Sequence, residues 1–261
     1  MRVLFVKQDY SSPAGLIGDG FAAAGWDVSE MTVVPRERYH SPDVTVTFPS
    51  AADFDAVVFF GAAWAVYDTA AIGWISDEIA YARSLISLGV PTLGICFGGQ
   101  MLAAALGGTV ARAPVPEIGW LSVATDQPAL IDPGPWLSWH FDRFTLPPGV
   151  PVVARTALAT QAFVHGRALG LQFHPEVTDY VLEAWLANDT GGLAELGVDP
   201  TALIEQARSL AEPAAARAHG LVRRYELDVA RRPALPLPSA ATAETVVTPA
   251  RCLKGRPAGL A

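Results

Sequence analysis

Hydrophobic positions in the first hundred residues form short continuous runs, separated by stretches with helical spacing. The run Val3-Leu4-Phe5-Val6 is apolar at consecutive positions, as strands buried on both faces are. Residues 16–24 predict a helix closed by Gly25, and residues 26–34 a second strand. Ala56-Val57-Val58-Phe59-Phe60-Gly61 predicts a third, again buried on both faces. Across residues 70–88, Ile72, Ile75, Ile79, Ala82 and Ile86 recur at three- and four-residue intervals, the period of one helix face. Residues 91–95 predict a further buried strand. This alternation indicates an α/β fold, a mostly parallel central sheet flanked by helices. Ligands of such sheets bind beyond the carboxyl ends of strands, where Gly61 and Cys96 both stand.

The pattern changes after Leu106. Short runs at 121–124, 137–141, 152–154, 161–164 and 168–173 predict antiparallel, hairpin-linked strands packed as a small sheet alongside the parallel one. Helices return at 179–188 and 200–211, and Pro213 opens another that runs to about residue 230, since proline is well tolerated in a first turn. From Arg232 the chain holds Pro233, Pro236, Pro238, Pro249 and Pro257 among alanine and threonine. The expected organisation is therefore one domain over residues 1–231, including the C-terminal helices 179–230, and a mobile tail over 232–261.

Composition narrows the function classes. A net charge of −8, with no basic stripe in the first 200 residues, argues against nucleic acid as a partner. Cys96 and Cys252 are the only cysteines, which suits a reducing compartment and rules out a disulfide framework or a cysteine-built zinc site. The apolar run at the N-terminus is too short for a signal peptide, and no uncharged run approaches membrane-spanning length. The expectation is a cytoplasmic protein with no membrane partner. Asp126, Asp132 and Asp142 lack metal-ligand spacing, so no metal is expected.

Two motifs carry chemistry. Gly94-Ile95-Cys96-Phe97-Gly98-Gly99-Gln100 joins a strand to a helix, and Gly-x-Cys-x-Gly at that junction is the thiol form of the nucleophile elbow. Such a turn is too tight for bulky neighbours and lifts the sulfur to a helix N-terminus, where the dipole favours thiolate. The alternative is a core cysteine in a glycine-rich turn. Farther on, Leu171-Gln172-Phe173-His174-Pro175-Glu176 places His174 and Glu176 two residues apart on extended chain, hence on one face. A carboxylate beside imidazole fixes the tautomer and stabilises the imidazolium. The blander reading of His174 is a strand-end histidine bonded to backbone.

Taken together, Gly-Ile-Cys-Phe-Gly-Gly-Gln and Gln-Phe-His-Pro-Glu resemble the class I, triad-type glutamine amidotransferases, in the same order along the chain. Ser138-Trp139-His140-Phe141-Asp142 is similar to the Trp-x-His-x-Asp segment of stand-alone members and of the glutaminase domain of GMP synthetases. The likeness covers roughly residues 1–230. It implies Cys96 as nucleophile, His174 as general acid/base and Glu176 as its orienter. It further implies the Phe97 N–H and the turn at Gly61 and Ala62 as oxyanion donors, Gln100 near the bound side chain, and the backbone of Trp139, His140 and Phe141 at the amino-acid end. No cofactor is implied for the hydrolytic half-reaction.

One departure stands out: Gly61-Ala62-Ala63 replaces the usual Gly-Gly-Pro, and a positive φ at Ala62 would carry strain of about 1–3 kcal/mol. Three functions follow from these residues. The first is glutamine hydrolysis supplying ammonia to a synthetase subunit. The second is hydrolysis of another γ-glutamyl amide, and the third a regulatory protein that keeps the fold but not the activity.

Overall fold

The computed structural model describes residues 1–187 and 192–238. Its central sheet has eight strands in the order β2-β1-β3-β4-β10-β9-β8-β6. The strands are β1 (Arg2–Lys7), β2 (Asp27–Thr32), β3 (Ala56–Phe59), β4 (Thr92–Ile95), β6 (Ala124–Thr125), β8 (Val152–Arg155), β9 (Thr160–His165) and β10 (Ala168–Leu171). Pairing is parallel from β2 through β10 and antiparallel from β10 outward to β6. Thus β6, β8 and β9 extend the main sheet rather than forming the sheet beside it. That second sheet is a two-stranded ribbon of β5 (Thr109–Leu121) and β7 (Trp136–Thr145).

The long strand β5 was not expected before residue 121. Pro114 and Pro116 cannot donate to a ladder, and the pairing slips between Arg112 and Glu117, so both prolines sit in an irregularity of an edge strand. A sequence reading that treats proline as a breaker misses a strand of this kind.

Helices α1 (Gly15–Ala23), α2 (Gly73–Leu88) and α3 (Phe97–Ala105) cross the sheet, followed by α4 (Asp179–Ala187), α5 (Gly192–Glu195), α6 (Pro200–Ser209) and α7 (Ala211–Arg224). The all-apolar strands divide two core clusters between the faces. Phe5, Val58 and Ile95 face Phe21, Leu221 and Tyr225 on one side. Val6, Phe59 and Phe97 face Trp74, Ile75 and Leu85 on the other. Alternate strand residues thus feed opposite cores, which is why the runs are apolar at every position. A third cluster joins Leu137 and Trp139 to Leu182 and Leu203, seating α4 and α6 against the ribbon.

Residues 232–238 lie against the body: the carbonyl of Pro236 meets His165 Nε2 at 2.8 Å, and Leu237 packs on the second core. The rest of the expected tail, with Cys252, is outside the described residues. Among those described, no helix is long and apolar enough to cross a membrane.

Candidate active site

Four strands of the parallel region deliver the site from their carboxyl ends. Asp9 follows β1, Gly61 follows β3, Cys96 follows β4, and His174 and Glu176 follow β10. Cys96 adopts φ 51° and ψ −107°, and it alone has positive φ among the described non-glycine residues. That backbone is the first corner of a primed turn, which favours glycine, so a side chain here is held under strain by its surroundings. Three glycines make the corner possible. A Cβ on Gly94 would sit 2.4 Å from the Gly98 oxygen, one on Gly98 2.3 Å from the Phe59 oxygen, and one on Gly99 2.2 Å from the Leu171 oxygen. The Cys96 N–H donates to Leu171 O at 2.9 Å, and the Cys96 carbonyl accepts from Gln100 N–H at 2.9 Å. The Phe97 N–H belongs to the first turn of α3, where amides have no acceptor within the helix.

His174 is fixed from three directions. Its backbone N–H donates to Leu137 O at 2.7 Å, tying β10 to the ribbon. Its Nδ1 meets Glu176 Oε1 at 2.7 Å, and the Trp185 ring stands edge-on at 4.9 Å. With Nδ1 engaged by the carboxylate, Nε2 is left for the sulfur. Cys96 and Glu176 both act on the ring's charge: burial alone would depress its pKa, but the two partners hold it well above the ordinary histidine value. Gly61 closes this corner without a side chain, since a Cβ there would lie 3.3 Å from His174 Cε1 and 3.9 Å from Cys96 Cβ.

A raised folded-state pKa makes the sign of linkage definite. The folded protein binds the His174 proton more tightly, so this contribution to stability is full below the unfolded histidine pKa. It is lost as pH rises through the higher folded value. Glu176→Gln removes the charge opposing desolvation, so the ring's pKa, read from its proton–nitrogen chemical shifts, is expected to fall. A ring pKa unchanged in the Gln variant would show that the carboxylate does not set it.

The expected residues separate into two groups. Gly61, Ala62, Cys96, Trp139, His174 and Glu176 border one cleft. Phe97 is 1% exposed and opens α3 beside it. Gln100 lies below the sulfur, its Nε2 donating to Asp142 O and Gln172 Oε1, both at 3.3 Å. His140 is fully buried and faces away, its Nδ1 at 3.0 Å from Asp142 O and its Nε2 at 3.3 Å from Glu117 Oε2. The Phe141 ring packs under the Arg112 guanidinium at 4.7 Å. The side chains of Gln100, His140 and Phe141 therefore do not border the cleft. Ala62 carries no positive φ, so the strain considered for its turn does not arise.

Several cleft residues escaped the sequence reading. Gln172 Nε2 approaches Cys96 Sγ at 3.7 Å. Trp185 walls the cleft, packing on Trp139 at 5.8 Å and donating from Nε1 to Ser11 O at 2.8 Å. Ser11 and Ser12 also border it. Asp9 was legible in principle, as an acidic residue just past the end of a central strand.

A parallel α/β sheet that presents a strained cysteine at a strand–helix corner, with imidazole and carboxylate beside it, has the geometry of a nucleophile elbow. The family model for glutamine amidotransferase class-I matches residues 28–189, and the chain belongs to that family. It is 41% identical over 128 residues to a glutamine-hydrolysing GMP synthase of Aeropyrum pernix, a match spanning 44% of this chain and 25% of that protein. A GMP synthase of Methylobacillus flagellatus is 34% identical over 158 residues, 53% of this chain and 28% of that one. The matches thus span under a third of these relatives. Among solved structures, a glutamine amidotransferase from Thermotoga maritima superposes with a TM-score of 0.74 at 26% identity, covering 86% of this chain and 97% of that one.

Proposed function

We propose that the protein hydrolyses the γ-amide of glutamine through a thioester on Cys96. The sulfur attacks the amide carbon, and the carbonyl oxygen becomes an oxyanion received by the N–H groups of Phe97 and Ala62. The His174 imidazolium, held by Glu176, gives its proton to the departing nitrogen, and ammonia leaves. Water then loses a proton to His174 and attacks the thioester, releasing glutamate and restoring the thiol. The reaction needs no cofactor, because the carbonyl is polarised by backbone donors. The observation that carries this reading is the 2.7 Å His174–Glu176 contact beside a cysteine held at positive φ.

The ammonia is passed to a synthetase partner that activates the acceptor. The support for this is the likeness to GMP synthases, which extend well beyond the matched segment. The test is ammonia release from a panel of glutamine and γ-glutamyl amides. Release from glutamine, with a glutamyl adduct trapped on the Cys96 peptide, is the expected result. Cleavage of γ-glutamyl amides without cleavage of glutamine would give the substrate to the second class, and inertness toward both would make the chain a regulatory homologue.

A further inference from the structure

The chain just past β1 reaches the oxyanion turn from behind. Asp9 is fully buried, and its Oδ1 accepts the Ser11 N–H at 2.7 Å and the Ser11 hydroxyl at 2.6 Å, an Asx-turn that fixes the segment. The Ser12 N–H donates to Asp9 O at 3.3 Å. The Ser12 hydroxyl lies 3.4 Å from Asp9 Oδ1 but 2.7 Å from Gly61 O, and its single proton goes to the nearer oxygen. Burial holds the Asp9 carboxyl above its ordinary pKa, and the Ser11 contacts and the nearby Ala63 N–H only partly oppose that, Oδ2 making no hydrogen bond of good geometry. A proline at 63 would have no such N–H to offer.

Gly61 O and the Ala62 N–H are two ends of one planar trans peptide and point in opposite directions. A hydroxyl that grips the carbonyl therefore sets the direction of the amide. We propose that Ser12, oriented by Asp9, is a positioning residue that aims the Ala62 N–H as the second oxyanion donor. The same segment holds Trp185 through Ser11 O, and Trp185 packs on His174. One loop thus spans the oxyanion side and the proton-transfer side of the cleft. The loss of Gly-Gly-Pro from the turn is offset by an anchor outside it.

This inference rests on the acyl-transfer reading, so its test uses three probes that separate the two. Glutamine turnover reports the whole reaction. Glutamate γ-semialdehyde adds the Cys96 thiol across its carbonyl, forming the C–S bond and a tetrahedral oxygen that needs the donors. Iodoacetamide alkylates the sulfur, the C–S bond forming as iodide leaves to solvent, and creates no oxyanion. In Ser12→Ala, kcat and aldehyde affinity are expected to fall together by about 10–10²-fold, below the cost of deleting a donor outright. KM and the alkylation rate should stay within about twofold, and Ser12→Thr, which keeps the hydroxyl, should restore most of the loss.

Unchanged aldehyde affinity in Ser12→Ala overturns the proposal, as does an equal loss of alkylation, which would mark a merely structural role. If Ser12→Ala does not fold, Ser12→Cys, a weaker donor of similar size, must show the same split, and its absence is equally fatal. A wild-type protein that binds the aldehyde but cleaves neither glutamine nor γ-glutamyl amides would refute the hydrolytic function alone. A wild-type protein that does not bind the aldehyde would refute the aimed donor.

Discussion

Cys96→Ala is expected to lower γ-amide hydrolysis by at least about 10⁴-fold while leaving the fold and substrate affinity nearly intact. The covalent step has no substitute: no other cysteine exists among the described residues, and the hydroxyls of the two cleft serines are already engaged, Ser11 by Asp9 and Ser12 by the Gly61 carbonyl. What remains after the substitution is binding plus the backbone donors, which lower the barrier but form no thioester. Substrate affinity should change by less than about tenfold, because the side chain is small and Trp139 and Trp185 still wall the cleft. Their fluorescence gives a direct binding readout. Stability supplies an independent check on the corner itself. Alanine inherits the positive φ, whereas Cys96→Gly relieves it and should be more stable than the alanine variant by about 1 kcal/mol. More than about 1% residual hydrolysis in Cys96→Ala, on the scale of a triad deletion, would show that the sulfur is not the nucleophile.

The motifs at Cys96 and at His174 to Glu176 were legible because each is local. A strained corner announces itself through the glycines that crowd it, and a His–carboxylate pair on extended chain needs only two-residue spacing. The parallel half of the fold was legible for a related reason, since strands buried on both faces leave continuous apolar runs. What could not be read is what the fold brings together from afar. Trp185 reaches His174 only because α4 docks on the ribbon through Leu182 and Leu137. Ser12 reaches Gly61 across 49 residues, and nothing in the tripeptide Gly61-Ala62-Ala63 reveals that an outside hydroxyl holds it.

The side chain of His140 is another case: on β7 its ring turns to Glu117 on the neighbouring strand and meets only the carbonyl of Asp142. The Asp142 carboxylate instead accepts the Tyr67 hydroxyl at 3.0 Å, binding the segment after the oxyanion turn to the ribbon. Residue spacing gave the face of the strand, and only cross-strand pairing could assign the partner.

Gly98→Ala is expected to be the most damaging substitution outside the reacting groups, costing more than about 3 kcal/mol, beyond ordinary overpacking of a core. The added methyl would lie 2.3 Å from the oxygen and 2.7 Å from the carbonyl carbon of Phe59. That carbonyl belongs to the centre of the sheet, paired through β1 on one side and β4 on the other, so it cannot swing aside as a side chain could. Helix α3 must retreat instead, breaking the 3.2 Å bond from the Gly98 N–H to Phe60 O. Gly107→Ala is the control: φ is +94° but nothing stands within 4 Å of the new methyl, so backbone strain alone applies, about 1 kcal/mol. Denaturant midpoints of the two variants separate steric exclusion from backbone preference, and equal losses would refute the close approach of α3 to β3. The folded fraction of Gly98→Ala should also hydrolyse glutamine poorly, because α3 carries the Phe97 N–H and a displacement of about 1 Å can cost about 10²-fold in rate. Fold and chemistry are therefore coupled at one missing side chain: the contact that lets the helix touch the sheet is also the contact that places the amide beside the sulfur.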